Sequence, residues 1–281
     1  DDFERPLNKR GESNAPFMGK LLKEKKAKPD VILSSPALRA KATAEIIAKK
    51  VNHSKKIAYV EKLYEASVGD LLKALAEVGD EHDVDFFKNW LRARHADTIR
   101  PGKKGSTNKD FERIGSEFHR WVRDHRSQLE LGDSDSFVRF VSRDLDFYAR
   151  QSLTIRKAAF TLTDGWESVR YNEDRRFTLQ TQTILAALDP DDNPADTKRK
   201  IGMVADYLDI WIARRAWNFR TNNYSSVKYT LFMLAKELRG RSLEDLSGFL
   251  REQLVSQKER FALQPLFRLH QQNYRQVLHF L

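Results

Sequence analysis

The chain has 281 residues, of which 32% are charged and 40% hydrophobic, so its composition is that of a globular protein rather than a disordered one. It contains no cysteine, which excludes disulfides, thiolate catalysis and cysteine-ligated metals and favours a cytoplasmic location. No apolar run approaches the roughly 18–20 residues that cross a bilayer, and the first residues, which lack a Met, show no signal peptide and indicate a missing beginning.

The first 83 residues alternate between predicted helices and short apolar strands. Spacings of three and four predict a helix over residues 7–26, and a second helix follows Pro36 and extends to about Val51. The apolar runs 31–33 and 57–60 are typical of strands in a parallel sheet, and a short helix is expected at 71–78. This order predicts a small α/β sheet.

From residue 84 onward the pattern is helical throughout. Amphipathic stripes predict helices that open at Phe86 and cover these further segments: 111–122, 137–149, 178–188, 201–212, 224–238, 243–254 and 274–281. The acidic stretch 189–194 is expected to be a solvated turn. Arg214 and Arg215 could reach a nucleic acid, but we favour the alternative that one of them pairs with Asp206 or Asp209 inside this helical array.

The basic residues change type near Asp83. Residues 1–83 hold 13 Lys and 3 Arg, whereas residues 84–281 hold 10 Lys and 24 Arg together with all five Trp. The net charge is +10, of which the first segment carries +2 and the second +8. We interpret this change as two segments of different origin, 1–83 and 84–281, joined end to end. The basic excess of the second segment is also compatible with a polyanionic partner.

Two runs in the first segment carry a family resemblance. They are Asp2-Phe3-Glu4-Arg5-Pro6-Leu7-Asn8-Lys9-Arg10-Gly11 and Ser34-Ser35-Pro36-Ala37-Leu38-Arg39-Ala40. The segment resembles the SixA-type branch of the histidine phosphatase family. In that family an Arg-His-Gly strand supplies the phosphate-accepting histidine, and this chain begins just after the corresponding place. The only histidines of the segment, His53 and His82, lie outside the family's motif context and are expected to be surface residues.

The start of the second helix is the expected phosphate site of this segment. Arg39, one turn into that helix, can place a planar guanidinium beside a phosphate at the end of the preceding strand. Ser35 is expected to cap the helix, whose N-terminal amides face the same anion. The resemblance makes Arg39 and Ser35 inherited phosphate ligands, although an isolated arginine is more often a solvated helix residue.

The second segment resembles the helical middle region of GmrSD-type modification-dependent restriction proteins. The resemblance rests on the helices at 204–216 and 227–238 and on Asp85-Phe86-Phe87-Lys88-Asn89-Trp90-Leu91. That family acts on modified DNA and combines a nucleotide-handling domain with an HNH nuclease. Neither catalytic region is recognisable here, so the resemblance implies an incomplete member.

The breaker-rich loop before residue 110 is the candidate DNA-backbone contact. Its cations are Arg100, Lys103, Lys104 and Lys109. Glycine and serine in the same stretch are equally typical of a plain flexible loop.

We therefore predict a mainly α fold, with a helical domain preceded by a small incomplete α/β fragment of the histidine phosphatase type. The leading hypothesis is a non-catalytic helical part of an antiphage restriction system, with DNA as its candidate partner and no membrane association. The alternatives are a SixA-like phosphohistidine phosphatase and an inert chimeric product. We predict no catalytic residue, metal or cofactor in this chain.

Overall fold

The computed structural model describes residues 2–24, 29–66, 70–71, 74, 81–103, 105–258 and 261. The contacts divide the chain into an N-terminal unit, residues 1–84 with 119–126, and a C-terminal unit, residues 85–118 with 127–281. The described residues form eleven α-helices and two short strands, so the predicted mainly α fold class is confirmed.

The N-terminal unit contains a two-stranded parallel sheet and two helices packed against each other. In β1 and β2, Leu33 pairs with Ala58 and Ser34 with Tyr59, which confirms the parallel arrangement with shorter strands than predicted. Helix α1 approaches α2 closely at Gly19, where a Cβ atom would lie 2.6 Å from the Cβ of Lys50. The bounds are α1 Lys9–Glu24, β1 Leu33–Ser34, α2 Leu38–Lys50, β2 Ala58–Tyr59 and a 3₁₀ turn at Glu61–Leu63.

The remaining helices are numbered α3 to α11. Residues 81–84 of α3 and 119–124 of α4 are grouped with the N-terminal unit. A π-helical stretch, Phe140–Leu145, joins α5 to α6. The bounds are α3 Glu81–His95, α4 Asp110–Asp124, α5 Ser134–Arg139, α6 Asp146–Phe160, α7 Glu167–Asp174, α8 Gln180–Ala187, α9 Pro194–Trp217, α10 Tyr224–Leu238 and α11 Leu243–Ser256.

Helix α9 forms the centre of the C-terminal unit. The side chain of Asn193 caps it by accepting hydrogen bonds from the next two amides, and Pro194 occupies its first turn, where a missing N–H costs nothing. The helix contacts α7, α8 and α11 and buries an apolar face that includes Val204, Leu208 and Trp211. The sequence predicted this helix from residue 201 only, because its first two turns are polar.

Several predictions about local structure were wrong or lie outside the described residues. Helix α7 was not predicted, since its eight residues are mostly polar. In the acidic turn 189–194, Asp192 is not merely solvated, because it binds the buried Nζ of Lys200 at 2.7 and 2.9 Å. The predicted helix 274–281 and most of the predicted helix 71–78 lie outside the described residues.

Arginine side chains cap the C-termini of five helices in the C-terminal unit. Each guanidinium donates to a carbonyl oxygen in the last turn of a helix, where the intrahelical hydrogen-bond pattern ends. The prediction that Arg214 or Arg215 pairs with Asp206 or Asp209 was wrong. Asp206 accepts the Ser168 hydroxyl and Asp209 binds Arg175, while Arg214 donates to the carbonyl of Leu254 at 2.5 Å. The pairs are Arg239 on α3, Arg170 on α6, Arg94 on α8, Arg241 on α10 and Arg214 on α11.

Within the described part of the chain, every helix is too short or too polar to span a lipid bilayer.

Candidate functional site

An open groove of about 750 Å³ lies in the N-terminal unit, where β1 ends and α2 begins. Its volume is within the range of small-molecule sites, which is about 300–1,000 Å³. The predicted phosphate ligands Ser35 and Arg39 both line it. The other lining residues are Leu7, Leu22, Pro29, Val31, Ile32, Leu33, Ser34, Ala40, Thr43, Ala44, Ile47 and Leu63.

Ser35 lies before α2, but it is not the cap that the sequence predicted. The helix begins at Leu38, and its N-cap residue is Ala37, which has no side chain able to accept a hydrogen bond. The Ser35 hydroxyl oxygen accepts the Ala37 amide at 3.2 Å and thereby shapes the turn between strand and helix. The turn between strand and helix is therefore two residues longer than expected, and the hydroxyl hydrogen of Ser35 stays available to an acceptor.

The first turn of α2 presents backbone amides at this end of the groove. The amide of Leu38 donates to the carbonyl oxygen of Phe3 at 3.0 Å. The amides of Arg39 and Ala40 have no acceptor among the described residues, because their helical partners would lie before the helix. The positive end of the helix dipole adds to the attraction of an anion here.

The guanidinium of Arg39 already binds one carboxylate. A terminal nitrogen of Arg39 lies 2.6 Å from Oδ2 of Asp2, and the same oxygen accepts the Tyr64 hydroxyl at 3.5 Å. The Nε and the other terminal nitrogen of Arg39 have no acceptor in the described part of the chain. The Arg39 side chain is 45% exposed, so it can contact an oxyanion from solvent. Asp2 was not recognisable as this partner before the structure, since 37 residues separate it from Arg39.

The described groove residues contain no histidine. Nδ1 of His53 lies 3.2 Å from the carbonyl oxygen of Pro29, and the residue does not line the groove. The side chain of His82 lies outside the described residues. The described residues also contain no group of three metal-binding side chains. The described groups can thus bind and orient an anion through Arg39, Ser35 and the amides of the first helical turn.

The predicted DNA-contacting loop is held at both ends by carboxylates of α4. Oδ2 of Asp110 accepts the amide of Thr98 at 3.0 Å, and Oε2 of Glu112 accepts the amides of Arg100 at 2.8 Å and Lys109 at 3.4 Å.

These backbone bonds leave the basic side chains of the loop exposed. Arg100, Lys103 and Lys109 are all exposed, and Arg100 makes one bond, to Asn108 at 3.3 Å. Lys104 lies outside the described residues. Among the described residues, no carboxylate pairs with the side chains of Arg100, Lys103 and Lys109, so these cations face solvent.

Comparison with known proteins gives one match. No curated protein and no solved structure matches the chain. The matched range includes the groove with Arg39 and Ser35, and it extends past residue 83 through α4. Over this range, residues 3–131 match the family model of the histidine phosphatase superfamily (branch 1).

Proposed function

We propose that the N-terminal unit binds phosphomonoesters, with Arg39 and Ser35 as ligands of the phosphate group. The observation that carries the proposal is the convergence of the Arg39 guanidinium, the Ser35 hydroxyl and two open amides at one end of a single groove. A phosphate offers several acceptor oxygens, and a planar guanidinium can bind two of them at once. The match to the histidine phosphatase superfamily supports the same ligand.

The binding test is a calorimetric titration of the whole chain with inorganic phosphate. Arg39→Ala and Arg39→Gln should each weaken binding at least about tenfold, and Ser35→Ala about threefold, because charged hydrogen bonds contribute more than neutral ones. Arg10→Ala is the matched control, since Arg10 is an exposed helical arginine that does not line the groove. An equal loss in Arg10→Ala would show that phosphate responds only to net charge and would contradict the proposal.

The reaction proposed for this unit is the SixA-type hydrolysis of phosphohistidine. Such a reaction passes the phosphoryl group from the substrate to a neutral imidazole of the enzyme and then to water, which releases inorganic phosphate, while cations around the phosphate stabilise the transition state. The described groove residues include no imidazole, so the proposal assigns a role in this reaction to Arg39 alone. Arg39 supplies one such cation. The test measures phosphate release from a phosphohistidine peptide, which should be abolished by Arg39→Ala and unaffected by Arg10→Ala. Binding without release would retain phosphate recognition and remove the catalytic part of the proposal.

A second candidate function is contact with a nucleic-acid backbone through the loop 98–109. It is favoured by the carboxylates that hold the loop backbone and leave Arg100, Lys103 and Lys109 exposed. It fits the proposed division of the chain, in which 84–281 is a helical part of GmrSD-type restriction proteins. The sequences that carry that resemblance lie on α3, α9 and α10.

The salt dependence of DNA binding tests this candidate. Each phosphate contact contributes about 0.9 to the slope of log affinity against log salt, so Lys103→Ala with Lys104→Ala should lower the slope by about two. The matched control is Lys198→Ala with Arg199→Ala, which removes the same charge from two exposed positions of α9. An equal change of slope in both double variants would contradict a specific role for the loop.

A further inference from the structure

We infer that the groove binds amphiphilic phosphomonoesters, in which an aliphatic or aromatic group is esterified to the phosphate. This inference rests on the proposed phosphate site and names its class of ligand. The groove that holds Arg39 and Ser35 is much larger than a phosphate, and ten of its fourteen lining residues are apolar. A free phosphate would leave most of that surface in contact with water.

Polar groups are confined to one end of the groove. The polar lining residues are Ser34, Ser35, Arg39 and Thr43, which follow β1 or lie in the first turns of α2. The hydroxyl of Ser34 donates to the Ser35 carbonyl at 2.9 Å, and that of Thr43 to the Arg39 carbonyl at 2.8 Å. Their donors are therefore satisfied locally, and Ser35 and Arg39 are the side chains available to a bound anion.

The rest of the groove is a continuous aliphatic wall. Helix α2 contributes Ala40, Ala44 and Ile47, which follow one another at helical spacing on one face. Leu22 of α1 and Val31 before β1 complete the wall, and Val31 is 43% exposed. An organic group extending from the phosphate along this wall would cover apolar surface that now contacts solvent.

An extended phosphopeptide is the competing ligand, because among the described residues β1 pairs with β2 on one edge and with no strand on the other. The amides of Ala58 and Val60 donate to the carbonyls of Ile32 and Ser34, so the peptide groups of Leu33 face away from β2. This edge offers one N–H and one C=O, so an added strand could form only two backbone hydrogen bonds with Leu33. The ten apolar lining residues offer a much larger contact surface to an organic group. The balance of surface favours an organic group over a paired strand.

The test compares the affinities of methyl phosphate and hexyl phosphate by calorimetry on the whole chain. Each buried methylene strengthens binding by about three- to fourfold, so partial burial of five extra methylenes should give a gain of at least about tenfold. Val31→Gln and Ile47→Asn should reduce this gain by at least about threefold while methyl phosphate binds as before. Met18→Gln is the matched control, since Met18 is 45% exposed and does not line the groove.

The outcomes separate this inference from the proposed function. If methyl phosphate binds in an Arg39-dependent way but hexyl phosphate gains nothing, the inference is overturned and the phosphate site stands. If neither ester nor inorganic phosphate binds, both are overturned. A gain that appears with an extended phosphopeptide and not with hexyl phosphate would replace the amphiphile by strand addition. Equal binding of hexanol would show that the phosphate is irrelevant and would also overturn the inference.

Discussion

The arginines of the two units differ in what their guanidinium groups contact. In the C-terminal unit Arg239 is 18% exposed and donates to the carbonyls of Arg92, Ala93 and Ala96, all near the end of α3. In the N-terminal unit Arg39 is 45% exposed and bonds to one carboxylate. Enclosed arginines complete the fold, whereas the open one retains donors for a ligand.

This difference gives the arginine-rich composition of residues 84–281 a structural cause. A planar guanidinium carries five N–H donors and can bridge several carbonyl oxygens at a helix end, which a lysine ammonium cannot do with the same geometry. Of the 24 arginines in this range, five in the described part of the chain donate to a carbonyl at a helix end. Two of these five, Arg239 and Arg94, contact more than one carbonyl. A high arginine count is thus not by itself evidence for a nucleic-acid surface.

The largest effect on stability is expected for Lys200. Its side chain is 2% exposed, and its three donors reach both oxygens of Asp192 and the carbonyl of Arg241 at 2.7–2.9 Å. Lys200→Ala should lower the free energy of unfolding by about 3–5 kcal/mol, because it leaves a partly buried carboxylate without its cation. Denaturant unfolding followed by tryptophan fluorescence measures this loss.

Two further variants distinguish the ion pair from simple packing. Lys198→Ala, two residues away and exposed, should change the free energy of unfolding by less than about 0.5 kcal/mol. Replacing both partners, Lys200→Met with Asp192→Leu, should recover most of the loss, because no charge is then left unpaired. A loss below about 1 kcal/mol in Lys200→Ala would mean that enclosed cations do not stabilise this unit.

The next largest loss of unfolding free energy is expected for Arg239, and variants at this position compare arginine with lysine directly. Arg239→Ala should cost about 2–3 kcal/mol, since carbonyls at the end of α3 lose charged hydrogen bonds. Arg239→Lys should recover less than half of that, because one ammonium cannot reach the same set of oxygens. Thermal and denaturant unfolding measure both variants. Arg156→Ala is the control at an exposed arginine of α6, and full recovery by lysine would contradict the geometric argument.

The buried histidine at the end of α3 predicts a pH effect of similar size. Burial, reinforced by Arg94 and Arg239, lowers the pKa of His95 to about 3. The unfolded chain binds this proton at about pH 6.5, so stability should fall as the pH drops from 6.5 toward 3. Between pH 7 and pH 5 the loss should be about 2 kcal/mol at this residue. Denaturant unfolding at both pH values should show that loss in the native chain and not in His95→Gln.

The helices were largely predictable because their apolar faces repeat at helical spacing. Helix α9 was recognised from its buried stripe, while α7 was missed because packing rather than periodicity makes its eight polar-rich residues helical. The start of α2 was misplaced for another reason. Ser35 has the chemistry of a cap, but Pro36 and Ala37 extend the turn, and the helix begins at Leu38.

Residues of the site were predictable only where a family motif coincides with the junction between a strand and a helix. Arg39 and Ser35 were found because both lie between a strand and a helix, and the structure places both at the groove. Asp2 and the aliphatic wall were not found, since they depend on contacts between segments distant in the chain. The basic loop was visible in the sequence, but Asp110 and Glu112, which hold its backbone, were not recognised as its anchors.

The smallest effect on stability is expected for Arg39. This prediction tests most directly the difference between Arg39 and the enclosed arginines of the C-terminal unit. An exposed ion pair such as Arg39–Asp2 contributes about 0–1 kcal/mol, so Arg39→Ala should leave the free energy of unfolding within about 1 kcal/mol of the native value. The same variant should lose phosphate binding. Conversely, Asp2→Asn removes the internal carboxylate that competes for the guanidinium and should strengthen phosphate binding roughly threefold. Unfolding and phosphate titration on the same samples measure both quantities. If Arg39→Ala destabilised the chain as much as Arg239→Ala, Arg39 would belong with the enclosed arginines that hold helices together.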